Sequence, residues 1–211
     1  MHNLLREIPG FFAATFLLAM VPGQGVAMVL RQSILGGSRL ALFAVLGNST
    51  GLFIWGTFSA IGLSAIFISS PLAFSILKWT GVCVLVLLSL KTFIQLRNES
   101  GKFDLTQKGD SSKFGSFRLG LITNLTNVKA AVFAVAFLPQ FVPANFSLAW
   151  GIFIFGCLWP VVSTSWYLIL IWTVDKSANV IQKPIVRRVL TGVSAIGIMV
   201  LAIGLAFSSS R

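Results

Sequence analysis

The sequence predicts an all-α integral membrane protein of six transmembrane helices, arranged as two inverted three-helix repeats with helices one and four interrupted. Three observations carry this expectation. Only 10% of the 211 residues are charged and 56% are hydrophobic, with a mean hydropathy of +0.91; a soluble domain carries about a quarter charged residues. Six long hydrophobic segments can be drawn, and one charged stretch divides them three and three. The opening segment of each half is broken by polar and helix-breaking residues, the best sequence pointer to a binding site in a transporter of inverted halves.

The first segment covers about 8–30 and contains Pro22-Gly23-Gln24 two-thirds of the way along. The first 21 residues have the look of a signal peptide, but Pro22 spoils the cleavage region, so this stretch reads as the first span. The second segment, about 40–68, carries no charge and contains Gly47-Asn48-Ser49-Thr50-Gly51, a small-xxx-small pattern that lets another helix come close. Ser69-Ser70-Pro71 makes the turn into the third segment, which continues to about 90. There Lys78 sits near enough to the boundary for its stem to snorkel. The fourth segment, about 117–142, holds Gly120, Asn124, Asn127 and Lys129 and ends Leu138-Pro139-Gln140-Phe141. In the fifth, about 146–173, Pro160 should kink the helix, with Ser163, Thr164 and Ser165 near the freed backbone groups. The sixth runs from about 189 to 207.

Charge sets the topology. Lys and Arg number 16 against 5 acidic residues, for a net charge of +11. Twelve of the basic residues fall after segments one, three and five: Arg31 and Arg39; Lys91, Arg97, Lys102, Lys108, Lys113 and Arg118; Lys176, Lys183, Arg187 and Arg188. The opposite side has Arg6 and Arg211 alone. The positive-inside rule then puts both termini outside and the solvated stretch 91–116 in the cytoplasm. Basic residues confined to short loops between spans set orientation and do not point to nucleic acid. The chain reads as a single polytopic domain over 1–211, with repeat one at about 1–96, a linker at about 97–116 and repeat two at about 117–211. Three spans per half is an odd number, so the second half enters the membrane with opposite orientation.

The two breaks suggest one site. Pro22 has no N–H and clashes with the carbonyl four residues back, leaving the carbonyl of Leu18 free, and Gly23 and Gly25 let the backbone unwind. Free carbonyls at a helix break suit a cation or an ammonium group. The bland alternative is a plain proline kink. In the fourth segment, Thr126 or Asn127 is placed to cap a new half-helix whose N–H groups favour an anion. Lys129 then falls in its first turn, against the dipole. A charge at membrane depth costs from about 2.5 to above 10 kcal/mol, so Lys129 needs a partner. From residue 117 to Lys129 is about 18 Å of helix, near mid-bilayer, although snorkelling to the interface is the alternative. The five carboxylates, Glu7, Glu99, Asp104, Asp110 and Asp175, all lie in loops or near the ends of spans, so the expected partner is an anionic group of the substrate. Together the breaks describe a site for a zwitterion. Asn48, Asn124 and Gln140 are secondary candidates for it, with helix joining as their alternative role.

At these residues the chain resembles the LysE/RhtB amino-acid exporters, over nearly its whole length. The first half carries Pro22-Gly23, Arg31, Gly36-Gly37, Arg39, Gly47 and Gly51. The second carries Gly120, Asn124-Leu125, Asn127, Lys129-Ala130, Phe133 and Pro139-Gln140-Phe141. The pattern around Trp55-Gly56 and Ala149-Trp150-Gly151 looks closest to the threonine and homoserine/homoserine-lactone branch. The resemblance implies a six-span exporter of the bacterial inner membrane, taking amino acids as substrate and driven by the proton gradient. Two positions depart from the family pattern: Gln24 and Val128 stand where the family has proline.

Other classes of function fit less well. A membrane-embedded enzyme needs a Ser–His pair, paired aspartates or metal ligands within the membrane, and the only histidine is His2. A metal exporter of related architecture should show facing carboxylate or thiol ligands; Cys83 and Cys157 alone are poor candidates, and no cofactor or metal is expected. A non-transporting scaffold would use Gly47 and Gly51 to pack a partner, and a homodimer is compatible with the chain. For proton coupling the candidates are Lys129, Glu7 and Asp175.

Overall fold

The helices begin and end where backbone donors and acceptors run short. A computed structural model describes residues 2–21, 23–63, 70–97, 112–182 and 184–207. Pro22 and most of the 91–116 stretch, with Glu99, Asp104 and Asp110, lie outside the described residues, as do Lys183 and Arg211. Every regular element that is described is helical. Helix α1 spans His2–Met20, α2 Gln24–Phe58, α3 Pro71–Arg97, α4 Lys113–Leu125, α5 Val128–Val132, α6 Leu148–Gln182 and α7 Pro184–Phe207. A π turn at Ser59–Leu63 continues α2, and a second at Phe133–Phe137 follows α5 and leads into a 3-10 turn at Leu138–Phe141.

Among the described residues, helical structure covers most of the hydrophobic segments, with interruptions around 21–23 and 126–127, while 64–69 lie outside the described residues, and the partition differs from the expected one. The end of segment one is joined to segment two as the single element α2, which turns at Gly37 with φ 77° and ψ 169°. That conformation is open to glycine and strained for any residue with a Cβ. Among the described residues, 24–62 and 148–176 are each long and apolar enough to cross a membrane. Residues 113–125 and 128–141 make a third such unit if taken as one span, bent by 55° at the break between them.

Packing is built on α2. A Cβ at Gly47 would overlap the carbonyl of Phe117, and one at Gly120 would overlap the carbonyl of Ala44, so the backbones of α2 and α4 lie in direct contact. A turn further on, Gly51 meets the side chain of Asn124. On α6, Gly156 meets Gly56, and a Cβ on Gly56 would lie 2.7 Å from the Gly156 Cα. Small residues at these positions let α4 lie directly against α2. Pro160 removes the N–H that would have bonded to the Gly156 carbonyl, yet α6 runs through it as one helix. Ser165 Oγ donates to the Val162 carbonyl at 2.7 Å, and Thr164 shares a 2.7 Å hydrogen bond with Ser49 of α2.

Two apolar clusters flank the breaks. One gathers Phe11, Phe133, Phe137, Phe155 and Trp159; in it Phe133 stacks on Phe137 at 5.4 Å and meets Trp159 at 4.9 Å. The other joins Val26, Val29, Ala44 and Val45 to Tyr167 and Ile171. The outward faces are also apolar, with Leu46, Phe53, Leu87, Trp150, Val161 and Ile203 all exposed. So much exposed apolar surface belongs in lipid rather than water. Lys78 is buried, and its ammonium lies 5.8 Å from the Trp79 ring centroid, a cation–π contact.

Candidate functional site

The break after α1 is short of donors. Val21 N–H reaches back to the Leu18 carbonyl at 3.3 Å, and Gly23, in extended conformation, caps α2 without a side-chain bond. Position 22 is a proline and donates nothing. The carbonyls at the end of α1 therefore carry the negative end of the helix dipole with few partners.

The break between α4 and α5 closes on itself. Thr126 N–H bonds to the Ile122 carbonyl and Asn127 N–H to the Asn124 carbonyl, both at 3.0 Å. Of the two candidate caps, Asn127 is the one used: its Oδ1 accepts from the Lys129 N–H at 3.1 Å, while Thr126 closes α4. The Trp55 indole adds a 3.4 Å bond to the Asn124 carbonyl. Val128, which follows the cap, is exposed.

Lys129 joins the two breaks. Its ammonium donates to the Leu18 carbonyl at 2.9 Å and to the Val21 carbonyl at 3.4 Å, and a Cβ on Gly23 would lie 3.8 Å from Nζ. The chain itself thus supplies acceptors for this charge. Lys129 starts a helix, where a cation is disfavoured, but its stem delivers the charge to the C-terminal end of another, where a cation is favoured. Neutral carbonyls of the chain itself hold it, in place of an anion. The Leu18 carbonyl, the acceptor expected to be free, receives Lys129 at 2.9 Å beside the longer 3.3 Å bond from Val21 N–H.

Asn48 and Asn124 also come together. Both are buried, at 1% and 2% exposure, and Asn124 Nδ2 donates to Asn48 Oδ1 at 3.1 Å. Asn48 Nδ2 and Asn124 Oδ1 are left without a hydrogen bond, so this pair keeps one donor and one acceptor unused. The remaining candidates stand apart. Gln24 is exposed on the first turn of α2. Gln140 lies half-buried in the 3-10 turn next to buried Pro139, its Nε2 without a partner.

Three contributors were not singled out by the sequence. Tyr167 is buried with its hydroxyl against Gly25, where a Cβ would collide with it. It is the one tyrosine in the chain, a polar tip in an apolar run, and that singularity was the available signal. Ser59 Oγ donates to the Ala134 carbonyl at 2.6 Å and so ties one π turn to the other. Gln32 Nε2 donates to Ser116 Oγ at 2.7 Å, a second polar link from α2 to α4. Neither serine lies in a motif that marks it.

Several known proteins are similar to this chain in sequence. The uncharacterized membrane protein YrhP of Bacillus subtilis (strain 168) is 25% identical over 210 residues, covering 93% of this chain and 96% of the relative. The homoserine/homoserine lactone efflux protein of Salmonella typhimurium is 35% identical over 133 residues, 63% of each chain. An uncharacterized membrane protein of Vibrio cholerae is 30% identical over 132 residues, again 63% of each. No solved structure matches. The family of LysE type translocators matches residues 16–209, so the chain belongs to the LysE type translocator family.

Proposed function

We propose that this translocator exports amino acids across the bacterial inner membrane, neutral ones or derivatives such as threonine, homoserine or homoserine lactone. It works by alternating access of two inverted three-helix halves. The observation that carries this reading is the Lys129 ammonium, which reaches from one broken helix to the freed carbonyls of the other. Two interrupted helices meeting at a charged point are what a midplane substrate site requires. The substrate carboxylate pairs with Lys129 and its ammonium with the carbonyls at the end of α1. Pro22, Gly23 and Asn127 shape the two breaks; Gln24, Asn48, Asn124 and Gln140 supply further polar contacts as the halves move. Gly47, Gly51 and Gly120 provide the close helix contact, with Pro139 and Pro160 as hinge positions.

The name of the Salmonella relative supports the choice of substrate class. The distribution of basic residues supports termini outside and the 91–116 stretch inside. Energy comes from the proton gradient, and export from vesicles with and without that gradient tests this point. The function itself is tested by an efflux screen of loaded cells expressing the chain, covering threonine, homoserine, homoserine lactone, leucine and lysine. Faster loss of at least one neutral substrate than in cells without the chain is expected. A flat response across the panel overturns the proposal.

A further inference from the structure

The carbonyls assigned to the substrate's ammonium are already occupied. Leu18 and Val21 direct two acceptors at a single point, and the primary ammonium of Lys129 fills it at 2.9 and 3.4 Å. The helix end supplies negative potential, and with no N–H at position 22 the Leu18 carbonyl has only the long 3.3 Å bond from Val21 N–H within its own helix end. Gly23 keeps side-chain bulk away from the ammonium. Among the described residues no carboxylate bonds to Lys129. What this geometry recognises is a primary ammonium group with N–H bonds to give, and the chain provides one from its own fourth segment.

We propose that the C-terminal end of α1 is a primary-ammonium subsite, with Lys129 as its tethered occupant, displaced when a substrate ammonium enters. That the incoming ligand is an amino acid rests on the transport reading above; the existence of the subsite does not. Displacement keeps the charge accounts level. The carbonyls exchange one ammonium for another, and the released Lys129 is left beside the carboxylate that arrived with its replacement. Bare carbonyls and an unpaired ammonium are never exposed together, and a compound without a primary amine has no means to dislodge Lys129.

The test uses the full chain in detergent with Lys129→Ala, which empties the subsite. Thermal unfolding is followed in methylammonium chloride, tetramethylammonium chloride and sodium chloride at equal ionic strength. Methylammonium at well above its dissociation constant should raise the midpoint of Lys129→Ala by about 3–5 °C over sodium chloride. Tetramethylammonium, which has no N–H, should not, and the wild type, its subsite filled, should respond to neither. An equal response of wild type and variant, an equal effect of the two cations, or no effect of either overturns the proposal. Should Lys129→Ala not survive extraction, the same salts are present during expression and purification. Recovery of monodisperse protein in methylammonium alone then supports the subsite, and recovery in none overturns it. Wild-type efflux in proteoliposomes is measured in parallel. Efflux without the methylammonium effect removes this inference only; the effect without efflux removes the transport reading and leaves the subsite.

Discussion

The two helix breaks solve the same problem in opposite ways. The break between α4 and α5 is satisfied locally: Asn127 caps the new helix, and Thr126 and Asn127 return their N–H groups to α4. The break after α1 has one long local bond, from Val21 N–H to the Leu18 carbonyl, and is completed from a distance, by a side chain more than a hundred residues away in sequence. One break is complete on its own, the other is complete only when the two halves of the chain meet. A pair built this way makes the contact between halves part of the integrity of the first break, so anything that parts them must supply a substitute cation.

The largest expected effect breaks that dependence outright. Lys129→Ala leaves the Val21 carbonyl without a donor and the Leu18 carbonyl with only its 3.3 Å bond from Val21 N–H, at about 1–3 kcal/mol for a buried group left unmade; unfolding in detergent should fall by several degrees, and efflux should be lost. Unchanged stability would mean that the first break does not depend on the second. Next comes Gly120→Val, which drives side-chain atoms into the Ala44 carbonyl and should cost about 1–3 kcal/mol or more. Cross-linking between α2 and α4 should weaken with it, whereas the same substitution at Gly10, which has open space around its Cβ position, should leave that cross-linking intact. Asn127→Ala removes the local cap and should cost about 1 kcal/mol, with Asn127→Ser restoring most of it. If Asn127→Ala proves as damaging as Lys129→Ala, the contrast between local and remote satisfaction does not hold. The smallest effect is the coupling between Asn48 and Asn124, which a double-mutant cycle should place near the average of about 0.6 kcal/mol for hydrogen bonds between membrane helices.

Much of this was legible in the sequence, for physical reasons that act locally. Proline at 22 and asparagine at 127 change which backbone groups can bond within a few residues, so both breaks could be placed, together with the freed Leu18 carbonyl. Gly47 and Gly120 were readable because only the absence of a side chain allows backbones to touch. The partner of Lys129 was not, although both members of the pair had been named. Sequence displays opposite charge only as carboxylates, while the helix end that holds the ammonium is made of neutral groups whose alignment exists only after folding. The surroundings of Gln140 were not legible, because a helix that bends by 55° and passes through π and 3-10 turns does not keep its polar residues on a predictable face. The turn at Gly37 was also hidden, since Gly36 and Gly37 read equally well as part of a loop.

That turn has a mechanical consequence. The stretch 24–36 is a rigid helical rod with a joint at each end: the extended residue Gly23 on one side and the left-handed Gly37 on the other. A rod held between two joints changes direction by rotation at the joints, with its internal hydrogen bonds kept. Tyr167 at Gly25 and Ser116 at Gln32 grip it near its two ends. A displacement at the Lys129 end therefore arrives at the Arg31 end as a tilt of a stiff body, and the loss of either joint, as in Gly37→Val, would convert a pivoting link into a fixed one.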